Sequence, residues 1–324
     1  MDLFDGLKEK IKGQNKTVVF PEGEDLRILT AAVRLAKDGL VKPILLGSES
    51  AIKDAAAKED LNLDAVTIID PSSYDEAKHQ EMVQALVERR AGKNTEEQVI
   101  EMLKDVNYFG TMLVYMKQAD AMVSGAVHAT GDTVRPALQI IKTKPGMSRI
   151  SGAFIMQRNN ERYVFGDAAI NIDPDAKTLA EIAVQSAETA RLFDIDPKVA
   201  MLSFSTKGSA AGDMVTKVQE ATKLAQERDP KTPIDGELQF DAAFVPDVGA
   251  SKAPDSEVAG KATVFIFPEL QSGNIGYKIA QRLGHFEAIG PILQGLNAPV
   301  SDLSRGASEE DVYKVAIITA AQSL

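Results

Sequence analysis

Short buried apolar runs alternate with longer amphipathic stretches through the first part of the chain, and that alternation restricts the fold more than any single motif. Residues 3–12 carry an amphipathic helical period through Leu3, Phe4, Leu7 and Ile11. Thr17–Phe20 reads as a short buried strand ended by Pro21. Asp25 then reads as the N-cap of a helix whose inner face holds Leu26, Leu29, Val33 and Leu35, with Gly39 as its stop. Strands are expected at Pro43–Leu46, Val66–Ile69 and Ala121–Val127. Helices are expected from Ser50, from the Pro71–Ser73 turn, and in two pieces over about 95–116. Strand, helix, strand, helix in succession predicts an α/β unit with a mostly parallel sheet flanked by helices.

The pattern changes near residue 145, where Lys144-Pro145-Gly146 is a linker signal. Beyond it, Ile150–Met156 and Tyr163–Ala168 flank Arg158-Asn159-Asn160-Glu161 as a hairpin. A long helix over 176–193 follows. Further strands are expected at Ala200–Phe204, Ala262–Phe267 and Ile289–Leu293, with helices between them. The reading is of two α/β domains, with a first boundary near 145 and a second near 296. The first boundary is visible in composition and the second is not.

Composition narrows the function classes. The 324 residues include no cysteine, which removes disulfides, thiolate metal sites and a cysteine nucleophile. With three histidines, a histidine-rich metal site is not expected either. A formal charge of −11 disfavours nonspecific nucleic-acid binding, so an anionic substrate would need a local arginine cluster. No apolar run approaches the roughly 18 residues of a membrane helix. The N-terminus lacks the apolar core of a signal peptide, so a cytoplasmic location is expected.

Chemistry-bearing residues concentrate at loop and helix starts. Ser301–Asp311 places Ser304, Arg305 and Asp311 in a loop and first helical turn. Arg305 can clamp a phosphate or carboxylate and Ser304 can donate to a developing charge, or the pair can be an ordinary surface turn. Asp311 has capping-box spacing from Ser308, so it reads as a cap, as a base, or as both. Arg135 follows a strand end and the Gly-bearing loop Thr130–Thr133, where open α/β sheets bind ligands; a solvated arginine is the bland alternative. Ser205-Thr206-Lys207-Gly208 has the same strand–turn–helix layout but not the order of a phosphate loop. Arg89 and Arg90 end a helix, where they can simply complement its dipole.

Six blocks in order give these segments a context: VSGAVHATGDTVRP (123–136), FGDAAINID (165–173), LSFSTKGSA (202–210), DGELQ (235–239), FPELQSGNIGYK (267–278) and GLNAPVSDLSRG (295–306). On them the chain resembles the phosphate acetyltransferases (phosphotransacetylases) over nearly its whole length. The resemblance implies two α/β domains, 1–145 plus 297–324 and 146–296, with an interdomain cleft, similar to the isocitrate and isopropylmalate dehydrogenases. It implies reversible acetyl transfer between acetyl phosphate and coenzyme A, with coenzyme A as substrate, no permanently bound cofactor, no metal, and a homodimer. By position, Ser304, Arg305 and Asp311 match the family's catalytic residues. Arg135 and Arg90 match arginines associated with coenzyme A or phosphate, with the adjacent Arg89 as the alternative to Arg90. Thr130, Ser205, Thr206, Lys207 and Gly208 are further expected substrate contacts. Phosphate butyryltransferase, a silent acyl-CoA-sensing module and a decarboxylating dehydrogenase are the rival readings.

Overall fold

A computed structural model describes residues 3–324. The chain runs through α1 (Leu3–Ile11), β1 (Thr17–Phe20), α2 (Leu26–Lys37), β2 (Lys42–Leu46), α3 (Glu49–Lys58), β3 (Thr67–Ile69), α4 (Glu76–Arg90), α5 (Glu96–Met102), α6 (Val106–Tyr115), β4 (Ala121–Ser124) and α7 (Thr130–Ile140). It continues with β5 (Ser151–Arg158), β6 (Glu161–Gly166), α8 (Ala176–Leu192), β7 (Val199–Leu202), α9 (Asp213–Arg228), β8 (Ile234–Leu238), α10 (Phe240–Phe244), α11 (Pro246–Lys252), β9 (Val264–Ile266), α12 (Leu270–Arg282) and β10 (Glu287–Gln294). It ends in β11 (Val300–Asp302) and α13 (Glu309–Gln322). Two compact units result: Met1–Lys144 with Leu296–Leu324, and Pro145–Gly295.

The first unit is built on a five-stranded sheet in the order β11-β4-β1-β2-β3, parallel throughout. Its inner strands β1 and β4 and their neighbour β2 are short and largely buried, as expected when helices cover both faces of a parallel sheet, whereas edge strand β3 is partly exposed. Helix α2 shows how local chemistry sets the frame. Asp25 accepts from the Arg27 N–H at its start. At its end Leu40 N–H donates to Leu35 C=O and Gly39 N–H to Ala36 C=O, with Gly39 at φ +67°. That is a Schellman closure, for which glycine has the conformational freedom. Ile28, Leu29, Ala31, Ala32 and Leu35 form the buried face between.

The sheet order reverses direction between β1 and β4. The loops after those strands, Pro21–Asp25 and Gly125–Ala129, therefore flank the crevice where open parallel sheets take ligands. β11 lies beyond β4, and its following loop, 303–308, leaves from the same carboxyl edge. Buried Ser301 Oγ shares a 2.7 Å hydrogen bond with Thr319 Oγ1, fixing β11 against α13.

The second unit carries a six-stranded mixed sheet, β10-β5-β6-β9-β7-β8. The β5–β6 hairpin turns on Asn159 at φ +53°. β10 is antiparallel to β5, whereas β6, β9, β7 and β8 are parallel. Phe154, Met156, Phe165, Phe265 and Phe267 form much of its core.

Some boundaries differ from the sequence reading. β4 stops at Ser124 rather than Val127, because the next four N–H groups turn inward to a carboxylate, described below. The turn at Pro71–Ser73 is a separate 3-10 turn, and α4 starts only after Asp75 caps it. Strand β8 (IDGEL) escaped notice because a glycine and two acids interrupt its apolar pattern. Helices α10 and α11, of five and seven residues, are too short to show a period.

Candidate active site

Two loops at the carboxyl edge of the first sheet, after β11 and after β4, lead to the expected residues Ser304, Arg305, Asp311, Thr130 and Arg135, while Arg90 ends α4. The loop after β11 presents Ser304 and Arg305, both exposed. Its shape is a tight turn: Ala307 N–H donates to Ser304 C=O at 2.9 Å and Gly306 N–H to Ser304 Oγ at 3.2 Å. The Arg305 guanidinium makes no hydrogen bond or ion pair among the described residues. Asp311 sits on the first turn of α13 in a full capping box. Its Oδ2 accepts from Ser308 N–H and from Ser308 Oγ, each at 2.8 Å, and Ser308 Oγ accepts from Asp311 N–H at 3.2 Å. Both bonds go to Oδ2, which leaves Oδ1 without a partner among the described residues.

The loop after β4 is organised by Glu22, a side chain only 2% exposed. One oxygen accepts from Gly125 N–H (3.1 Å) and Ala126 N–H (2.8 Å). The other accepts from Val127 N–H (2.8 Å) and His128 N–H (2.9 Å), and lies 2.7 Å from His128 Nδ1. Four successive N–H groups that would otherwise form an anion receptor are thus filled by the chain's own carboxylate. They deliver the chain into α7, whose N-cap Ala129 offers no side-chain acceptor. Thr130 and Arg135 are exposed there. The nearest acid to Arg135 is Asp132, at 3.9 Å.

Asp302, at the end of β11, is partly buried, and its Oδ1 is buried without a hydrogen-bond partner. Burial pushes its carboxyl above the ordinary range. The Thr130 and Thr133 hydroxyls offset part of that, and the charge of Glu22 adds to it.

At the end of α4 the two arginines separate. Arg89 donates from Nε to Ile140 C=O (2.6 Å) and from Nη2 to Ile141 C=O (3.1 Å), and its guanidinium lies 5.0 Å from the Tyr115 ring centre. Arg90 donates from Nε to Asn94 Oδ1 at 2.8 Å, and its terminal nitrogens have no partner among the described residues. Burial raises the Tyr108 phenol, and the charges of Arg135 and then Arg90 draw it back, so both guanidinium groups act on one side chain.

Ser205, Thr206, Lys207 and Gly208 belong to the second unit, and their polar groups are largely occupied. Ser205 Oγ donates to Glu237 Oε1 at 3.0 Å, and Gly208 N–H donates to the same oxygen at 2.6 Å. Thr206 Oγ1 bonds the Gln239 side chain and backbone, and Lys207 Nζ pairs with Asp235. Ser205 and Thr206 are buried, 0% and 4% exposed, which leaves little of either for a ligand. Lys207 lines a cavity of ≈ 540 Å³ together with Lys252, Asp235 and Ser256. No group of three or more histidine, aspartate or glutamate side chains among the described residues could hold a metal ion, and no described helix is long and apolar enough to cross a membrane.

Sequence reasoning missed Arg27, Glu22 and Asp302. Glu22 lies in Pro-Glu-Gly-Glu-Asp, one acid of three, and nothing local distinguishes it. Arg27 follows a cap and looks like any first-turn arginine. Asp302 stands inside the Gly295–Gly306 block, which was its one available signal.

Fold and site define a class: an α/β enzyme that sets unpaired guanidinium groups and a cap-held carboxylate on the loops of a parallel sheet. A family model described as "Phosphate acetyl/butaryl transferase" matches residues 2–320. The phosphate acetyltransferase of Bacillus subtilis (strain 168) is 60% identical over 323 residues, covering 100% of this chain and 99% of that protein. Among solved structures, the EutD phosphotransacetylase from Staphylococcus aureus superposes with a TM-score of 0.96 at 59% identity, covering 100% of this chain and 98% of that one. A phosphotransacetylase from Streptococcus pyogenes gives 0.97 at 62%, covering 99% and 98%. The chain belongs to the phosphate acetyl/butyryl transferase family, and it is an acyltransferase.

Proposed function

We propose that this acyltransferase moves an acetyl group reversibly between acetyl phosphate and coenzyme A by direct attack in a ternary complex, with Ser304, Arg305 and Asp311 as its reacting residues. Asp311 takes the thiol proton of coenzyme A. The sulfur–carbon bond forms as the carbonyl–oxygen bond to phosphate breaks, and Arg305 carries the charge of the departing phosphate. Ser304 donates to the sulfur or to the developing oxyanion. Reference values of ~3.9 for an aspartate and ~8.5 for a thiol leave roughly 6 kcal/mol against proton transfer. The arginine and the serine hydroxyl therefore have to stabilise the thiolate, and exclusion of water has to raise the base.

The observation that carries this reading is the isolation of Arg305. Arg27, Arg34 and Arg89 are spent on carbonyls and carboxylates, while Arg305 keeps its whole fork for a ligand. Arg135 and Arg90 are the next most available, and they are proposed to hold the phosphates of coenzyme A, with Thr130 beside them. Arg89 is not proposed for this role, because α7 carbonyls occupy it. Lys207 and Gly208 stay in the proposal as a secondary contact region, with Ser205 and Thr206 shaping it from below. The two units are proposed to act as separate domains, in the cytoplasm, in a homodimer.

Replacement Asp311→Asn tests the centre. An amide oxygen preserves the bonds from Ser308, so the cap survives while the base is lost. Expected is a fall in kcat of two or more orders of magnitude with helix stability changed by under about 1 kcal/mol. Unchanged kcat would remove Asp311 from the chemistry. Initial-rate patterns in the two substrates should intersect; parallel lines would mean a covalent acetyl-enzyme instead. Rates with acetyl phosphate against butyryl phosphate assign the acyl chain.

A further inference from the structure

Arg27 makes every hydrogen bond a guanidinium can make. Nε donates to Asp25 Oδ1 (2.9 Å) and Nη2 to Asp25 Oδ2 (2.8 Å), a bidentate pair that fixes the plane of the fork. The second Nη2 proton goes to Ala126 C=O (2.9 Å). The two Nη1 protons go to Arg305 C=O and Ala307 C=O, both at 2.9 Å. Asp25 is immobile in turn, because the same carboxylate caps α2. Its strong pairing with Arg27 holds it below the usual carboxylate range.

The loop it touches has little else to hold it. Within Ser304–Ala307 the remaining hydrogen bonds are local, from Gly306 N–H and Ala307 N–H back to Ser304. Among the described residues, the only bonds reaching this turn from elsewhere in the fold are the two from Arg27. They grip the carbonyl of the residue whose side chain is unpaired and the carbonyl two residues on. The bond to Ala126 C=O ties the same fork to the loop that Glu22 fills. Loop geometry thus passes from the start of α2 through one side chain to the backbone of Arg305.

We propose that Arg27 is the positioning residue of the 304–307 loop: its saturated fork, anchored on Asp25, sets the direction in which Ser304 and Arg305 leave the backbone. This rests on the reading that Arg305 meets the substrate. Arg27 touches no reacting atom itself. A lysine could satisfy one or two of these carbonyls as a point charge but could not hold three carbonyls and a carboxylate in one plane.

The test is a double-substitution cycle read in kcat. Arg27→Gln and Arg27→Lys are each made alone and together with Arg305→Ala, in the full chain, with thermal unfolding measured in parallel. Loss of a positioning group costs roughly 10²-fold in rate for about 1 Å of misplacement, so Arg27→Gln alone should lower kcat by about that factor, with Arg27→Lys recovering part of it. In the Arg305→Ala background the same Arg27 change should cost several-fold less, because one of the two groups it aims is gone and only the share of Ser304 remains. An equal loss in both backgrounds, or none in either, overturns the proposal. If Arg305→Ala alone keeps full activity, the role of Arg305 fails first and takes this inference with it. Should Arg27→Gln not fold, Arg27→Lys carries the same cycle.

Discussion

Six arginines lie in the first unit, and what their guanidinium groups touch separates them. Arg27 and Arg89 bind carbonyls at loop and helix ends. Arg34 pairs with Glu310 at 2.5 Å and stacks 3.7 Å from the Tyr313 ring centre, where Tyr313 also donates to Asp38 at 2.7 Å. Among the described residues, Arg305 is left to solvent or ligand, Arg90 is held only through Nε by Asn94, and Arg135 meets only Asp132, at 3.9 Å. None of this can be sorted from sequence, where Arg89-Arg90 is a doublet and Arg27 and Arg34 share one helix. Two carboxylates of the unit respond to pH in opposite senses. Asp25 is lowered by Arg27, so its contribution is full above the unfolded value and is lost as pH falls through the folded one. Asp302 is raised by burial, so the folded state binds the proton more tightly. Its penalty is absent in acid, sets in as pH rises past the unfolded value, and is complete once pH exceeds the folded one. Asp302→Asn is therefore expected to raise the unfolding temperature at pH 7, with the gain shrinking below about pH 4. A gain that stays constant down to pH 3 would show that charge is not its source.

Among the elements, helix starts were the most legible. Asp25 and Ser308 announce caps by residue type and spacing, and both make the expected bonds. Strand ends were not, because they depend on partners far away in sequence. β4 reads as apolar to Val127, yet Glu22, about a hundred residues earlier, ends it at Ser124. Gly125 shows how closely these loops meet. It has φ +109°, and a methyl group there would collide with the Asp302 carboxylate and come within 2.7 Å of Leu303 N and O. Leu303 N–H also donates to Ser124 C=O at 2.7 Å. Gly125→Ala is therefore expected to push the 303–307 loop away from β4. The expected result is a stability loss of about 1–3 kcal/mol and a fall in kcat larger than any change in KM. Chemical denaturation and steady-state rates on one preparation measure both.

Across the whole molecule, the alternating pattern was enough to read two α/β units with mostly parallel sheets, and the ordered blocks were enough to read the family. The return of 297–324 to the first unit was implied by the ordered blocks, but the strand that makes it was not legible: β11 is three residues long, Val300-Ser301-Asp302, too short for an alternating signal, yet it completes the first sheet. An apolar stripe along α12 and its C-cap, with Ile275, Ile279 and Leu283 exposed by 56%, 53% and 77%, supports the proposed homodimer. Ile279→Glu with Leu283→Glu should yield a monomer by sedimentation; an unchanged particle mass would move the interface elsewhere. Each unit also keeps carboxylates buried in its loops: Glu22 under 125–128, Asp167 under 169–171 and Glu237 under 205–208. In Glu22 the protein carries a resident counter-ion, held covalently at a place shaped to receive a free one. Cutting that side chain back, as in Glu22→Gly, should turn a strut into a vacant receptor that small carboxylates can fill. Added acetate would then restore lost stability by mass action, about 2.7 kcal/mol at a hundred times its dissociation constant, while leaving the unaltered protein indifferent.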